Sequence, residues 1–180
     1  MKENLREEIV LGKGVTVSQA DSFITFKGPK GEVRRQFLHP GVHIQVGEGK
    51  IVLSAEQATK REKKIVGTFQ AHLRNLVRGV EQPFEYTLKI CSGHFPMNVA
   101  VAGQEFVIKN FLGEAVPRKV ALLPNVEVKI QGMEIIVSSV DREAAGQMAA
   151  RIEQLCRITN RDRRVFQDGC YITKKAVRAG

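Results

Sequence analysis

The stretch PGVHIQVGEGKIVLS at residues 40–54 returns as PNVEVKIQGMEIIVS at residues 124–138, a constant displacement of 84 positions. Pro40, Val42 and Ser54 recur as Pro124, Val126 and Ser138, while Ile44, Val46, Ile51, Val52 and Leu53 recur as Val128, Ile130, Ile135, Ile136 and Val137. Each copy alternates apolar and polar residues, turns, then runs apolar, which is the pattern of two paired strands with one buried face. Chance readily produces the periodicity, but not a common register with a shared proline and a shared serine. The chain therefore contains a duplicated structural unit.

Each copy runs on into a helical pattern. Ser54-x-x-Gln57 and Ser138-x-x-Asp141 resemble capping boxes and place the helix starts at the repeated serine. Over residues 56–80, Ile65, Phe69, Leu73, Leu76 and Val80 form one apolar stripe, with Lys60, Arg61, Lys63, Lys64 and Arg74 largely off it. Over residues 141–156, Ala145, Met148, Ala149, Ile152 and Leu155 form the corresponding face. Upstream of each copy the chain alternates again. SFITFKGPKGEVRRQFL reads as a hairpin turning at Gly28-Pro29-Lys30-Gly31, and QEFVIKNFLGEAVPRKVALL as one turning near Asn110 to Glu114. Gly79 supplies a helix stop and Pro83 a break, which puts the boundary near residue 82. The expectation is an α+β protein of two tandem similar domains, residues 1–82 and 83–180, each a small antiparallel sheet covered by one helix.

With 43% hydrophobic residues among 180, the chain has material for a packed core. Its 28 Lys and Arg against 19 Asp and Glu leave a net charge of +9. A pI near 9.7 points to a polyanionic partner or an anionic surface. MKENLREEIV mixes acids and bases, and no later run reaches the ~18 apolar residues of a membrane span, so a soluble cytosolic protein is expected. Cys91, Cys156 and Cys170 form no Cys-x-x-Cys pair and read as small buried hydrophobes in a reducing compartment.

The residues offer no site for chemistry. Neither a phosphate-cradling G-x-x-x-x-G-K-[ST] nor a G-x-G-x-x-G pattern occurs, and Gly12, Gly14, Gly28, Gly31, Gly47 and Gly49 suit strand turns. His39 and His43 are four apart, but Pro40 and Gly41 between them prevent the helix that would converge both rings on a metal. His72 has no nucleophile placed with it by any motif. No catalytic residue, metal, cofactor or small-molecule substrate is expected.

The charge, by contrast, is concentrated. Residues 157–180 hold seven bases (Arg157, Arg161, Arg163, Arg164, Lys174, Lys175 and Arg178) and two acids (Asp162 and Asp168), which is +5 of the total +9. A basic cluster gains affinity for nucleic acid through counterion release. The sequence RVFQDGCYIT is too apolar for a solvated tail. It is expected to pack through Val165, Phe166, Tyr171 and Ile172 while Arg161, Arg163 and Arg164 point outward. Two Tyr, no Trp and the lack of an RNP1 pattern argue against a sheet that reads single-stranded RNA, and favour recognition of folded RNA by shape and backbone.

Four blocks, GTFQAHLRNLVRGV (67–80), HFPMNV (94–99), KNFLGEAVPR (109–118) and TNRDRRVFQDGCYI (159–172), together resemble the ribosomal protein L6 family of the large subunit, in its archaeal and eukaryotic branch. The resemblance spans essentially the whole chain. It implies a cytoplasmic, ribosome-bound rRNA binder near the stalk base and the sarcin-ricin region, with neighbouring ribosomal proteins around it and translation factors docking nearby. It also makes the second domain the main rRNA-binding half. Carried over by motif, the implied rRNA contacts are His94 and Phe95; Lys109, Asn110 and Arg118; and, from Thr159 to Gly169, Thr159, Asn160, Arg161, Arg163, Arg164, Gln167, Asp168 and Gly169. Lys174 and Lys175 join them from the basic C-terminal segment. Phe95, Phe111 and Phe166 could equally serve as core. The chain departs from the family pattern at Cys170, usually a branched aliphatic, and at Ala115, commonly a lysine. A free RNA-binding regulator and an unrecognised nucleic-acid enzyme are the competing readings.

Overall fold

A computed structural model describes residues 3–12 and 14–176 of the chain. They fall into two compact units, the first ending at Pro83 and the second beginning at Phe84.

In the first unit the strands are β1 (Glu3–Val10), β2 (Thr16–Ala20), β3 (Phe23–Gly28), β4 (Gly31–Gln36), β5 (His43–Gly47) and β6 (Lys50–Ala58), followed by helix α1 (Lys60–Glu81). They pair antiparallel in two three-stranded sheets, ordered β1-β6-β5 and β2-β3-β4. The second unit repeats this order with β7 (Phe84–Cys91), β8 (Asn98–Ala102), β9 (Glu105–Lys109), β10 (Arg118–Ala121), β11 (Val126–Gln131), β12 (Glu134–Ser139) and α2 (Arg142–Leu155). Its sheets are ordered β10-β9-β8 and β11-β12-β7-β13, where β13 (Gly169–Lys174) is added on the free side of β7. The two halves thus share one topology, and the second carries one strand more.

The repeated register is a register of burial. Ile51 and Leu53 on β6 are 0% exposed, as are their counterparts Ile135 and Val137 on β12. In the first unit Ile24, Phe26, Leu73, Leu76 and Val80 are buried along with the former pair. In the second, Leu88, Phe106, Ile108, Met148, Ala149 and Ile152 close around the latter.

Each half differs from the sequence expectation in holding two sheets beside its helix instead of one. Helix α1 touches β1 and β6 of one sheet and β3 and β4 of the other, and α2 likewise touches strands of both sheets in its unit. Alternation along the chain identifies each hairpin, but which hairpins share a sheet depends on contacts between distant segments. In α1 the buried face is broader than the expected stripe. Val66 and Val77 are buried, whereas Ile65 and Phe69 are half-buried, and the Phe69 ring packs edge-on against Phe37 with centroids 5.2 Å apart. In α2, Ala145, Met148, Ala149 and Ile152 are buried as the pattern predicts, and Leu155 is half-buried.

The expected helix caps are corrected. Ser54 lies within β6, opposite His43 and Arg6, and Ser138 lies within β12. Strand pairing satisfies the backbone beyond the repeated serines, so the helices start later. Thr59 caps α1 in a capping box with Glu62, whose carboxylate accepts the Thr59 N–H at 2.8 Å. Asp141 caps α2 by accepting the Glu143 N–H at 2.8 Å. At the other end of α1, the turn between β3 and β4 packs so closely that a Cβ on Gly28 would stand 2.6 Å from the Val80 carbonyl oxygen. The Lys30 N–H donates to that same oxygen at 3.1 Å, which satisfies one of the carbonyls left open at the helix end. No helix among the described residues is long and apolar enough to cross a membrane.

Candidate nucleic-acid interface

Three loops of the second unit meet at one end of its sheets: residues 92–97 between β7 and β8, residues 110–117 between β9 and β10, and residues 156–168 between α2 and β13. Their positions follow from two anchoring side chains.

The first anchor is Asp168, only 1% exposed. Its Oδ1 accepts the N–H of Gly93 at 2.5 Å and of His94 at 3.0 Å, and its Oδ2 lies 2.6 Å from Nδ1 of the His94 ring. Burial alone would raise its carboxyl pKa. The His94 N–H, the His94 ring and the Gly93 N–H outweigh burial and hold the pKa below its ordinary value of 3.8. The ionised form thus sits inside the fold, tying the C-terminal segment to the loop after β7. Gly169 follows with φ at +153°, and a Cβ there would meet Cys156 and the Tyr171 ring at 3.3 Å. Only glycine enters β13 this way without displacing its neighbours.

Arg118 is the second anchor. Its Nε and Nη2 donate to the two carboxylate oxygens of Glu114 at 2.8 and 2.5 Å. Its Nη1 donates to the Leu155 and Arg157 carbonyls at 2.7 and 3.1 Å, and the guanidinium lies 4.2 Å from the centroid of the buried Phe111 ring. A planar five-donor fork can satisfy a carboxylate and the open carbonyls of a helix C-terminus together. Glu114 is correspondingly held below the usual carboxylate range, chiefly by the Arg118 hydrogen bonds. The β9–β10 loop that carries this pair is tightly wound: Asn110, Leu112 and Gly113 all have positive φ, and the Asn110 side chain donates to the Pro96 carbonyl at 3.1 Å. Left-handed backbone is uncommon for leucine, and such strained positions recur at binding sites.

Around these anchors the implied contact residues assume different roles. Phe95 is exposed and its ring stands over Gly113. Lys109 and Asn110 are exposed beside it, and Thr159, Asn160, Arg161, Arg163, Arg164 and Gln167 are exposed along the α2–β13 segment. The Arg161 guanidinium lies 4.9 Å from the Phe166 ring centroid, and that ring lies 4.7 Å from the His94 ring. Arg164 pairs with Asp162 at 2.7 Å, with its own side chain 90% exposed. Asp168, Gly169 and most of Arg118 lie inside and shape the surface from beneath. Lys174 and Lys175 are exposed but stand apart, since five residues of strand separate Lys174 from Gly169, about 16 Å.

The expected packing of the C-terminal segment is corrected in two places. Val165 is 59% exposed and Tyr171 37% exposed. The segment is anchored by Asp168 and Cys170, with Phe166 and Ile172 half-buried. For Tyr171 strand β13 supplies the reason: once Cys170 faces the core, pleating turns the next side chain outward. All three cysteines are free, with Cys156 and Cys170 buried and Cys91 half-buried. The neighbouring Cys156 sulfur and burial push the Cys170 thiol far up, so it stays protonated. Glu114, Ser92 and Gly93 escaped the sequence reading. For Gly93 the signal along the chain is the Asp-Gly pair, whose Asp168 accepts the Gly93 N–H from 75 residues away, and no such signal marks Ser92.

The family pattern of ribosomal protein L6 matches residues 11–82 and 95–169, one stretch in each unit. The large ribosomal subunit protein uL6 of Methanosarcina mazei is 47% identical over 176 residues, covering 98% of this chain and 100% of its own length. The protein of the same name from Methanocella arvoryzae is 42% identical over 170 residues, covering 94% and 96%. With both halves matched and two relatives aligned nearly end to end, the chain belongs to the ribosomal protein L6 family.

Proposed function

We propose that this chain is a structural constituent of the large ribosomal subunit whose second unit holds folded rRNA near the stalk base and the sarcin-ricin region, beside the docking area for translation factors. Members of this family are ribosomal proteins, structural and not enzymatic, and the ribosome is their cytoplasmic location. The observation that carries the finer reading is the exposure of Arg157, Arg161, Arg163 and Arg164 on one segment whose end is locked by the buried Asp168. Cations on a rigid mount bind phosphates without first being ordered, which lowers the entropic cost of association. His94, Phe95, Lys109, Asn110, Thr159, Asn160 and Gln167 surround them, with Arg118, Asp168 and Gly169 as support. Lys174 and Lys175 form a second, separate pair of contacts.

Hydroxyl-radical footprinting of the full chain on large-subunit rRNA tests this reading. Protection should fall in the stalk-base and sarcin-ricin helices and weaken steeply with salt. Protection confined to other rRNA domains would overturn the placement, and no stable co-sedimentation with large subunits through a high-salt wash would overturn the ribosomal role.

A further inference from the structure

Between the loop after β7 and the segment before β13 lies a cleft of about 820 Å³ lined by Ser92, His94, Arg163, Val165, Gln167 and Tyr171, among others. We infer that it receives one nucleotide turned out of the rRNA stack, its base against the rings of His94 and Tyr171 and its phosphate on Arg163. This rests on the rRNA-binding reading and extends it from phosphate contact to a socket for a single base.

Four features of the cleft point to that occupant. Its volume lies within the roughly 300–1,000 Å³ typical of small-ligand sites. Its walls combine ring systems, a side-chain amide and a hydroxyl, the mixture that stacks and hydrogen-bonds an unpaired base. Its charge is cationic: Arg163 lines it beside Arg164, whose guanidinium is paired with Asp162, and the one lining carboxylate, Asp168, is turned inward onto Gly93 and His94. Its shape is also set before any ligand arrives, because Asp168 fixes His94, the Tyr171 hydroxyl donates to the Asp168 carbonyl at 3.3 Å, and the Phe166 ring backs the imidazole. Folded RNA recognised by its backbone offers few bases, so an extruded nucleotide in a preformed socket would add register to an otherwise sequence-blind contact.

The test uses the full chain and protein-free large-subunit rRNA. Ser92→Trp fills the cleft and leaves every charge in place. It should weaken binding by about 5- to 150-fold, the range for losing one stacked base, with an unchanged salt slope. Arg163→Ala should instead reduce the slope by about one. Ultraviolet cross-linking should join Tyr171 to one nucleotide. An abasic replacement there, which leaves the protein untouched, should cost as much as Ser92→Trp, with no further loss when the two are combined. Wild-type affinity for Ser92→Trp, no Tyr171–nucleotide adduct, or an adduct to a neighbouring protein in assembled subunits would each overturn the socket while leaving rRNA binding intact. A wild-type chain that fails to bind the rRNA would instead overturn the proposed function as well.

Discussion

Asp168 carries two opposing effects. Removing a carboxylate from water raises its pKa, yet two backbone N–H groups and the His94 ring more than offset that cost and leave it below 3.8. Replacing it with Ala strands those donors, and a loss of roughly 2–4 kcal/mol is expected in urea unfolding at neutral pH. The sign of the pH dependence follows from the direction of the shift. A depressed carboxyl stabilises the fold fully above its unfolded value of about 3.8 and loses that contribution as pH falls through the lower folded value. The stability gap between wild type and Asp168→Asn should therefore be present at about pH 5 and close towards about pH 2. A gap that persists in acid would show that the charge contributes nothing. At the same scale, Arg161→Ala, Arg163→Ala and Arg164→Ala should each weaken rRNA binding and flatten its salt dependence by up to about one unit of slope. Unchanged slopes in all three would move the RNA to another surface.

At the scale of elements, Arg118 joins a hairpin to the end of a helix. Four of its hydrogen bonds stay within the protein, two to Glu114 and two to carbonyls at the end of α2. A lysine preserves the charge but not the fork, so Arg118→Lys should lower stability by about 2 kcal/mol while leaving the salt slope of rRNA binding unchanged. Thermal unfolding and salt titration on the same variant separate these outcomes. A reduced slope at unchanged melting temperature would make Arg118 a direct phosphate contact instead. The helix starts show the same dependence on neighbouring elements. Ser54 is a competent cap by type, but the pairing of β6 with β1 and β5 draws it into a strand and passes the cap to Thr59.

For the molecule as a whole, duplication produced two units with one topology and unequal surfaces. Every member of the second unit's core, from Leu88 to Cys170, comes from that unit itself. A fragment of residues 83–180 should accordingly unfold cooperatively on its own and bind rRNA with most of the affinity of the full chain. A fragment that lacks a cooperative transition, or that folds without binding RNA, would refute this division of labour.

The sequence alone determined the duplication, the α+β class, the hairpin turns, the buried face of α2 and the centre of that of α1, because side-chain period and repeat spacing are properties of neighbouring residues. It also located the excess cations, since charge can be counted along a chain. Only the tertiary structure decided that each half holds two sheets, that Tyr171 faces outward, that Asp168 is a buried anchor, and that Arg118 grips a helix end. Those facts depend on residues tens of positions apart meeting in space, where burial and hydrogen-bond geometry, not residue type, assign each side chain its role.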